Sequence, residues 1–314
     1  MDKLIVSTSP HIGHKATTSK IMLDVVIALL PASIASVVLF GFRALVIIAV
    51  CVATAIASEF LFNLISKKEQ TVGDISAVVT GLLLALNLPA KTTIWQCVVG
   101  SIFAIVVVKC MFGGIGCNFA NPAITARVFL LIAFGSSVAG GVLPNSAELV
   151  TSATPLELIK NGNTSALPSL TDMLLGNRGG AIGETCGLAL LIGFAYLLVR
   201  RVISWHTPVI FVGTVFVLSL IIKQDLNIAL YEVLGGGLLI GAIFMATDYS
   251  TSPKNKRGKM VFALGCGVLT VLIRFWGGYP EGVSFAILLM NIVSPFIERL
   301  TAKRPFGGKK YVQK

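Results

Sequence analysis

Ten long apolar runs, separated by short polar segments, dominate this chain of 314 residues. A helix needs about 20 apolar residues to cross a hydrocarbon core of about 30 Å. Lipid offers no hydrogen bonds to a backbone, so apolar runs of this length fold as helices. The sequence therefore predicts an all-α integral membrane protein with ten transmembrane helices. The predicted spans are 22–40, 44–65, 74–88, 93–111, 121–135, 182–200, 206–222, 228–247, 259–275 and 282–298.

The composition excludes soluble classes of protein. Only 12% of the residues are charged, whereas soluble domains carry about 25%, so this chain cannot cover a water-facing surface. The net charge of +11 would favour nucleic acid as the partner of a soluble protein. Here the basic residues stand between apolar runs, so we attribute them to membrane topology and expect lipid, not nucleic acid, around the chain.

The positions of the lysines and arginines predict the orientation in the membrane. Most of the 25 fall on the side that holds both termini, which the positive-inside rule makes cytoplasmic. We therefore expect a multi-pass protein of the inner (cytoplasmic) membrane. The tail 299–314 is then cytoplasmic, and the loop 136–181 is extracytoplasmic.

The two halves of the chain resemble each other. Each has two long spans, a glycine-rich third span, a fourth span, a Gly-Gly pair and a fifth span. The copies cover about 22–135 and 182–298. Because five is odd, the second copy must be inverted relative to the first, an arrangement that often places a site between repeats. We expect residues 1–314 to form a single membrane domain.

Two of the predicted spans, 74–88 and 121–135, are too short to cross comfortably. The second begins at Asn121-Pro122, a good N-cap followed by proline at the first helical position. Short or broken helices at membrane depth usually line a site or a cavity.

The loop between the copies contains the segment "ELVTSATPLELIK", residues 148–160. Thr154, Pro155 and Glu157 form the pattern of a capping box, which predicts a short helix. A helix N-terminus also attracts anions, so a phosphate esterified to the Thr154 hydroxyl would suit the same position. The two interpretations compete for that hydroxyl.

The same segment resembles the acceptor loops for covalent flavin mononucleotide (FMN). Those loops carry an acidic residue, two spacers, Ser or Thr, Gly or Ser, and then Ala-Thr, whose threonine is esterified to the flavin phosphate. The matching residues here are Glu148, Thr151, Ser152, Ala153 and Thr154. Glu148 replaces the usual aspartate, and Ser152 replaces the commonest glycine.

Motifs along nearly the whole chain resemble the D subunits of the Rnf complexes, membrane-bound ferredoxin:NAD oxidoreductases that pump sodium ions or protons. They are "TSPHIGHKATTSKIMLDVVIALLPA", "GGIGCNFANPAITARVFLL", "FMATDYSTSP" and "GGYPEGVSFAILLMNIVSPFIER". The related B subunit of the sodium-pumping NADH:quinone reductase shares the fold and the flavin site, but typically has a longer N-terminal extension.

The resemblance implies an electron-transfer subunit that relays electrons through FMN on Thr154 and is not catalytic alone. It implies partners within the complex, especially the flavin-bearing G subunit and the membrane A and E subunits, and a flavin transferase for maturation. It also points to a riboflavin between the repeats as a second cofactor.

Eight charged residues lie within or near the predicted spans, where charge is costly and often functional. We select Glu59, the deepest carboxylate, and Asp24 as candidates for an ion path. For most of the others, side chains that reach to the interface are the simpler explanation. The eight are Asp24, Glu59, Lys109, Arg127, Glu184, Glu232, Asp248 and Arg274.

Two other functions stay open from the sequence. Ten helices in two inverted repeats also suit a small-solute channel or carrier without a redox role, although a pore does not require the loop 136–181. The Asn-Pro-Ala triplet at 121–123 matches the water-channel signature, but that family needs two copies. A structural subunit without flavin is the other alternative. The sequence predicts no metal site, since His11 and His14 are isolated and the cysteines form no CxxC pair.

Overall fold

The computed structural model describes residues 17–144 and 151–302, and almost every regular element in them is helical. Each of the ten predicted spans contains helix. The helices are α1 Thr18–Phe40, α2 Phe42–Ile65, α3 Ser76–Leu86, α4 Ile94–Cys110, α5 Pro122–Ala133, α6 Gly135–Val138, α7 Pro155–Lys160, α8 Leu170–Leu175, α9 Gly187–Val199, α10 His206–Lys223, α11 Leu226–Leu234, α12 Leu238–Met245, α13 Lys256–Trp276 and α14 Val283–Thr301.

Five of the described helices, α1, α2, α10, α13 and α14, are long and apolar enough to cross a membrane. The bent pair of α11 and α12 makes a sixth if it counts as one span. Their outer faces carry exposed apolar side chains such as Val38, Phe42 and Val217. Because such faces need an apolar surrounding, the chain is a multi-pass membrane protein.

The helices α3 and α5 are short, as the sequence predicts. They have 11 and 12 residues, which at about 1.5 Å per residue give roughly 17 Å, about half of a hydrocarbon core. The predicted N-cap of α5 is confirmed. The Asn121 side chain accepts from the backbone N–H groups of Ala123 and Ile124, with Pro122 at the first helical position.

Two predicted spans need correction. The span 182–200 is helical only from Gly187, because residues 182–186 form a turn that bonds to the end of α3 through Gly183 and Leu86. The span 228–247 is broken by a 61° bend between α11 and α12. Three consecutive glycines, Gly235–Gly237, lie at that bend, and glycine is the residue that best tolerates such a change of direction.

Both halves of the chain pack their helices in the same pattern. The second long helix of each half, α2 or α10, lies against the third and the fourth. Contacts between the halves join α1 to α9 and α5 to α14. The first helix of one half therefore packs against the first helix of the other, and the fifth helix against the fifth. A π-helical stretch occurs in each half, at Phe103–Cys110 and at Gly241–Met245.

The segment between the halves folds back onto the helices. Residues Gly141–Val142 pair antiparallel with Thr151–Ser152, and Val142 also bridges to Gly180. The helices α7 and α8 follow the second strand and both contact α11. This packing places residues 151–154 of the predicted flavin-acceptor segment against one end of the helix bundle.

The contact between α2 and α3 generates a test of this packing. A Cβ added at Gly81 would lie 2.8 Å from the carbonyl oxygen of Cys51 and 2.9 Å from Cα of Val52. Since backbone atoms cannot move away cheaply, Gly81→Ala should destabilise the protein by about 1–3 kcal/mol. The check is the melting temperature of the purified protein in detergent.

Gly213→Ala is the matched control, because a Cβ at Gly213 of α10 meets nothing within 4 Å. It should leave stability unchanged or raise it by up to about 1 kcal/mol, since alanine favours a helix. A melting temperature that falls equally in both variants would contradict the proposed close contact.

Candidate functional site

Thr154 occupies the N-cap of α7, as the sequence predicts. Its hydroxyl oxygen accepts from the backbone N–H of Glu157 at 3.3 Å, and Pro155 takes the first helical position. This bond is the first of the two that a capping box contains. Because α7 has only six residues, its dipole is small, and other groups must supply positive charge to any phosphate at Thr154.

Thr154 is buried, with only 4% of the residue exposed, and it lines a cavity of about 50 Å³ that opens to the surface. The cavity lies between the loop, α5 and the start of α14. Its other lining residues are Arg127, Leu131, Val138, Ala139, Gly140, Tyr279, Pro280, Glu281, Gly282, Ser284 and Phe285.

The rest of the acceptor segment lies beside Thr154. Ser152 belongs to the second strand, and its Oγ is buried without a hydrogen-bond partner among the described residues. Ala153 is exposed. Thr151 pairs with Val142 through the backbone, and Glu148 lies outside the described residues.

An aromatic wall forms one side of the cavity. The rings of Tyr279 and Phe285 are stacked, with centroids 4.9 Å apart and an angle of 27° between planes. Stacked aromatic rings present a flat apolar face that favours another flat ring. The segment "GGYPEGVSF" places both rings there, because Gly282 takes a left-handed conformation, φ 69°, that starts α14.

Arg127 of α5 provides the positive charge at the cavity. One guanidinium nitrogen, Nη1, donates to Glu184 Oε1 and to Asn87 Oδ1, both at 2.8 Å. The other, Nη2, forms an ion pair with Glu281. One cation therefore serves two carboxylates, and this group of three charges, the Arg127 triad, has a net charge of −1.

Two further arginines surround the triad. Arg178 donates to the backbone carbonyl oxygens of Glu184 and Thr185. Arg274 of α13 pairs with Glu232 at 2.8 Å and donates to the carbonyl oxygen of Glu281. Both side chains are buried, so the charges act in a region of low dielectric constant.

Lys91 lies near the same cavity. Its Nζ would be 3.7 Å from a Cβ added at Gly140, which lines the cavity. Burial lowers the pKa of Lys91, and the nearby Glu157 carboxylate raises it in part. Lys91 thus adds to the positive charge that a phosphate at Thr154 would meet.

The structure does not bring the two predicted ion-path residues together. Glu59 forms an ion pair with Lys109 at 2.8 Å and accepts from the Thr71 hydroxyl at 2.6 Å. Asp24 binds Arg200 and accepts from the Tyr196 hydroxyl at 2.9 Å. Each carboxylate is neutralised by a cation of the chain, so their role in ion movement stays a prediction.

A second cavity region lies between the halves, away from Thr154. Two adjoining cavities of about 80 and 440 Å³ share Met22, Ile115, Asn118 and the segment 248–250. Asn118 Oδ1 is buried there without a hydrogen-bond partner among the described residues. Burial raises the pKa of Asp248, whose carboxylate accepts from Ser250 and Thr251.

Comparison with known proteins assigns this arrangement to a family. Residues 5–307 match the model of the NQR2, RnfD, RnfE family. The chain belongs to this family. The D subunit of the Na(+)-translocating ferredoxin:NAD(+) oxidoreductase complex of Acetobacterium woodii is 47% identical over 309 residues, covering 98% of this chain and 96% of the relative.

Other relatives are also D subunits of ion-translocating complexes. The D subunit of the proton-translocating ferredoxin:NAD(+) oxidoreductase complex of Clostridium ljungdahlii is 38% identical, covering 97% of this chain and 96% of the relative. The D subunit of an ion-translocating oxidoreductase complex of Stutzerimonas stutzeri is 36% identical, with 93% of each chain covered. The predicted resemblance to D subunits of Rnf complexes is confirmed.

Sequence reasoning missed several residues of the site. Glu281, Asn87 and Arg178 did not stand out, because each lies in a loop or at a helix end. Arg127 and Glu184 were among the eight charged residues in or near the predicted spans, but no partner was predicted for either. The structure buries both in a shared ion network, which the turn at 182–186 brings together.

The Arg127 triad generates a second prediction. Removing one partner of a buried ion pair leaves an uncompensated charge and typically costs about 3–5 kcal/mol. Arg127→Leu strands two carboxylates, so it should lower the melting temperature of the purified protein strongly. Arg200→Leu is the control, because the Arg200 side chain is 56% exposed in its pair with Asp24 and exposed pairs contribute little. Equal losses in the two variants would contradict the energetic role of the triad.

Proposed function

We propose that this chain is the membrane subunit of an ion-pumping ferredoxin:NAD+ oxidoreductase complex and relays electrons through FMN esterified to Thr154. It would act as an electron-transfer subunit and not as a catalyst alone. The observation that supports the proposal best is the position of Thr154. Its hydroxyl lies in a segment that matches a flavin acceptor and lines a cavity with an aromatic wall and a buried arginine.

The residues around Thr154 fit a flavin. Tyr279 and Phe285 offer a flat apolar face to the ring system, and Lys91 near the cavity adds positive charge that favours a phosphate. Bound there, FMN supplies one-electron transfer, while the protein provides position and electrostatics.

We also propose that the helices form two inverted five-helix repeats with ten crossings. The equal packing of α2 and α10 within their halves supports this, as does the pairing of α1 with α9 and of α5 with α14. Such pairing of like with like is what a two-fold axis between the halves produces. The short and broken helices then line the interior, as in other inverted-repeat proteins.

The orientation completes the proposal. Both termini are cytoplasmic in the inner membrane, and the loop with Thr154 is extracytoplasmic. Because the chain has no soluble nucleotide-binding domain in its sequence, NAD and ferredoxin meet other subunits. The partners that we propose are the flavin-bearing G subunit, the membrane A and E subunits, and a flavin transferase that modifies Thr154.

A non-covalent riboflavin is proposed for the cavities between the halves. The larger of them, at about 440 Å³, falls in the size range of ligand pockets, and Met22, Phe244 and Tyr249 give the adjoining cavity an apolar and aromatic lining. The Oδ1 atom of Asn118 is buried without a hydrogen-bond partner among the described residues. Burying an unsatisfied acceptor destabilises the protein, and a hydrogen bond from a ligand would remove this cost.

Covalent attachment can be tested on a denaturing gel. We expect the chain, expressed with a matching flavin transferase, to give a band with flavin fluorescence that Thr154→Ala abolishes. Thr171→Ala, which changes an exposed threonine of the same loop, should keep full fluorescence. Denaturation should also release free riboflavin, less of it from Asn118→Leu. A dark wild-type band beside a fluorescent control protein would refute attachment at Thr154.

Orientation can be tested by thiol labelling. In a Cys117→Ser background, a membrane-impermeant reagent should label Asn163→Cys only in right-side-out vesicles, because Asn163 lies in the loop. It should label Lys254→Cys only in inverted vesicles. Both positions are exposed. Labelling of the two from the same side would show that the proposed topology is wrong.

A further inference from the structure

The Arg127 triad contains one oxygen atom that no described residue satisfies. Glu184 Oε1 accepts from Arg127, but Oε2 is buried without a hydrogen-bond partner among residues 17–144 and 151–302. The Glu184 side chain is 1% exposed. An ionised oxygen in this position lacks both water and a donor, which costs free energy. A proton on Oε2 would remove the charge and give the atom a hydrogen to donate.

The surroundings hold the carboxylate in place. A Cβ added at Gly237, where α12 starts, would lie 2.6 Å from Glu184 Oε1 and 3.1 Å from Arg127 Nη1. The backbone there therefore closes over the ion pair. Arg178 fixes the carbonyl oxygen of Glu184 itself at 2.5 Å. The charged groups that face Glu184 are Arg127 of α5, Arg178 of the loop, Glu281 before α14, and Arg274 of α13, which is paired with Glu232.

The unsatisfied group is a single oxygen atom, Glu184 Oε2, and one oxygen atom is enough to bind a proton. Hard cations such as calcium need several oxygen ligands.

The net charge of the triad determines when the proton is favoured. Arg127, Glu184 and Glu281 together carry −1 next to the cavity of Thr154. An electron delivered to that cavity adds a second negative charge in a region of low dielectric constant, where like charges repel strongly. Neutralising Glu184 relieves this repulsion and leaves its pair with Arg127 as a hydrogen bond.

We propose that Glu184 takes up one proton when one electron is delivered to the flavin at Thr154. This inference rests on the proposed function. The electron comes from a one-electron donor of the complex, ultimately reduced ferredoxin, and the proton comes from water. The cofactor gains one negative charge and Glu184 loses one, so the total charge of the site is unchanged. Glu184 is a positioning and charge-compensating residue, not a catalytic one.

The test is redox-induced infrared difference spectroscopy on the purified complex. Reduction should produce a carboxylic acid carbonyl band above the amide region, which shifts in deuterated buffer and with isotope-labelled glutamate. Glu184→Gln should lose that band completely while keeping the fluorescent band on a denaturing gel. Asp172→Asn, which removes a partly exposed carboxylate of the same loop, should keep both signals.

A second variant guards against a folding defect. Glu184→Asp keeps a carboxyl group, so the acid band should remain but no longer respond to labelled glutamate. A band unchanged in Glu184→Gln, or absent in a wild type that carries covalent flavin, overturns this inference and leaves the proposed function intact. Sodium-dependent shifts of carboxylate bands, in place of an acid band, would show that Glu184 binds sodium and overturn it too. A wild type without covalent flavin overturns both.

Discussion

Arginine side chains replace the hydrogen bonds that interrupted helices lose. A break in a helix leaves carbonyl oxygens that lipid cannot satisfy. Arg43 donates to Ala90 and Thr92 after α3, and Arg178 donates to the turn before α9. Arg274 donates to the carbonyl oxygens of three residues at the α11–α12 bend and before α14. The guanidinium group suits this role, because it offers five donors in a fixed geometry. Without these bonds the short helices could not end inside the bundle.

Basic side chains also neutralise buried carboxylates, and two such ion pairs occupy related positions in the two halves of the chain. Lys109 ends α4 and pairs with Glu59, while Arg274 ends α13 and pairs with Glu232. Both cations precede a Gly-Gly pair, as the sequence repeat requires. Buried pairs of this kind are costly to form but more costly to break. They therefore fix the positions of helix ends and, around Thr154, the shape of the cavity.

The sequence was most informative where a local pattern determines the structure. Apolar runs located the helices within a few residues, and Asn121-Pro122 and Thr154-Pro155 predicted two of the caps that the structure contains. The site depends instead on distant contacts. Arg127 meets Glu184 and Glu281, which are 57 and 154 positions away. No periodicity in one sequence reports such a meeting, so Glu281 looked like part of an ordinary loop.

The burial of Thr154 has a consequence for how the protein is made. Only 4% of the residue is exposed, and its hydroxyl already serves as the cap of α7. An enzyme that attaches a nucleotide to this oxygen cannot reach it while the loop is packed against α5 and α14. The proposed modification at Thr154 would therefore require the loop to be open, before it docks or during a transient release. Under the proposed function, cofactor attachment would then be a checkpoint in the assembly of the subunit.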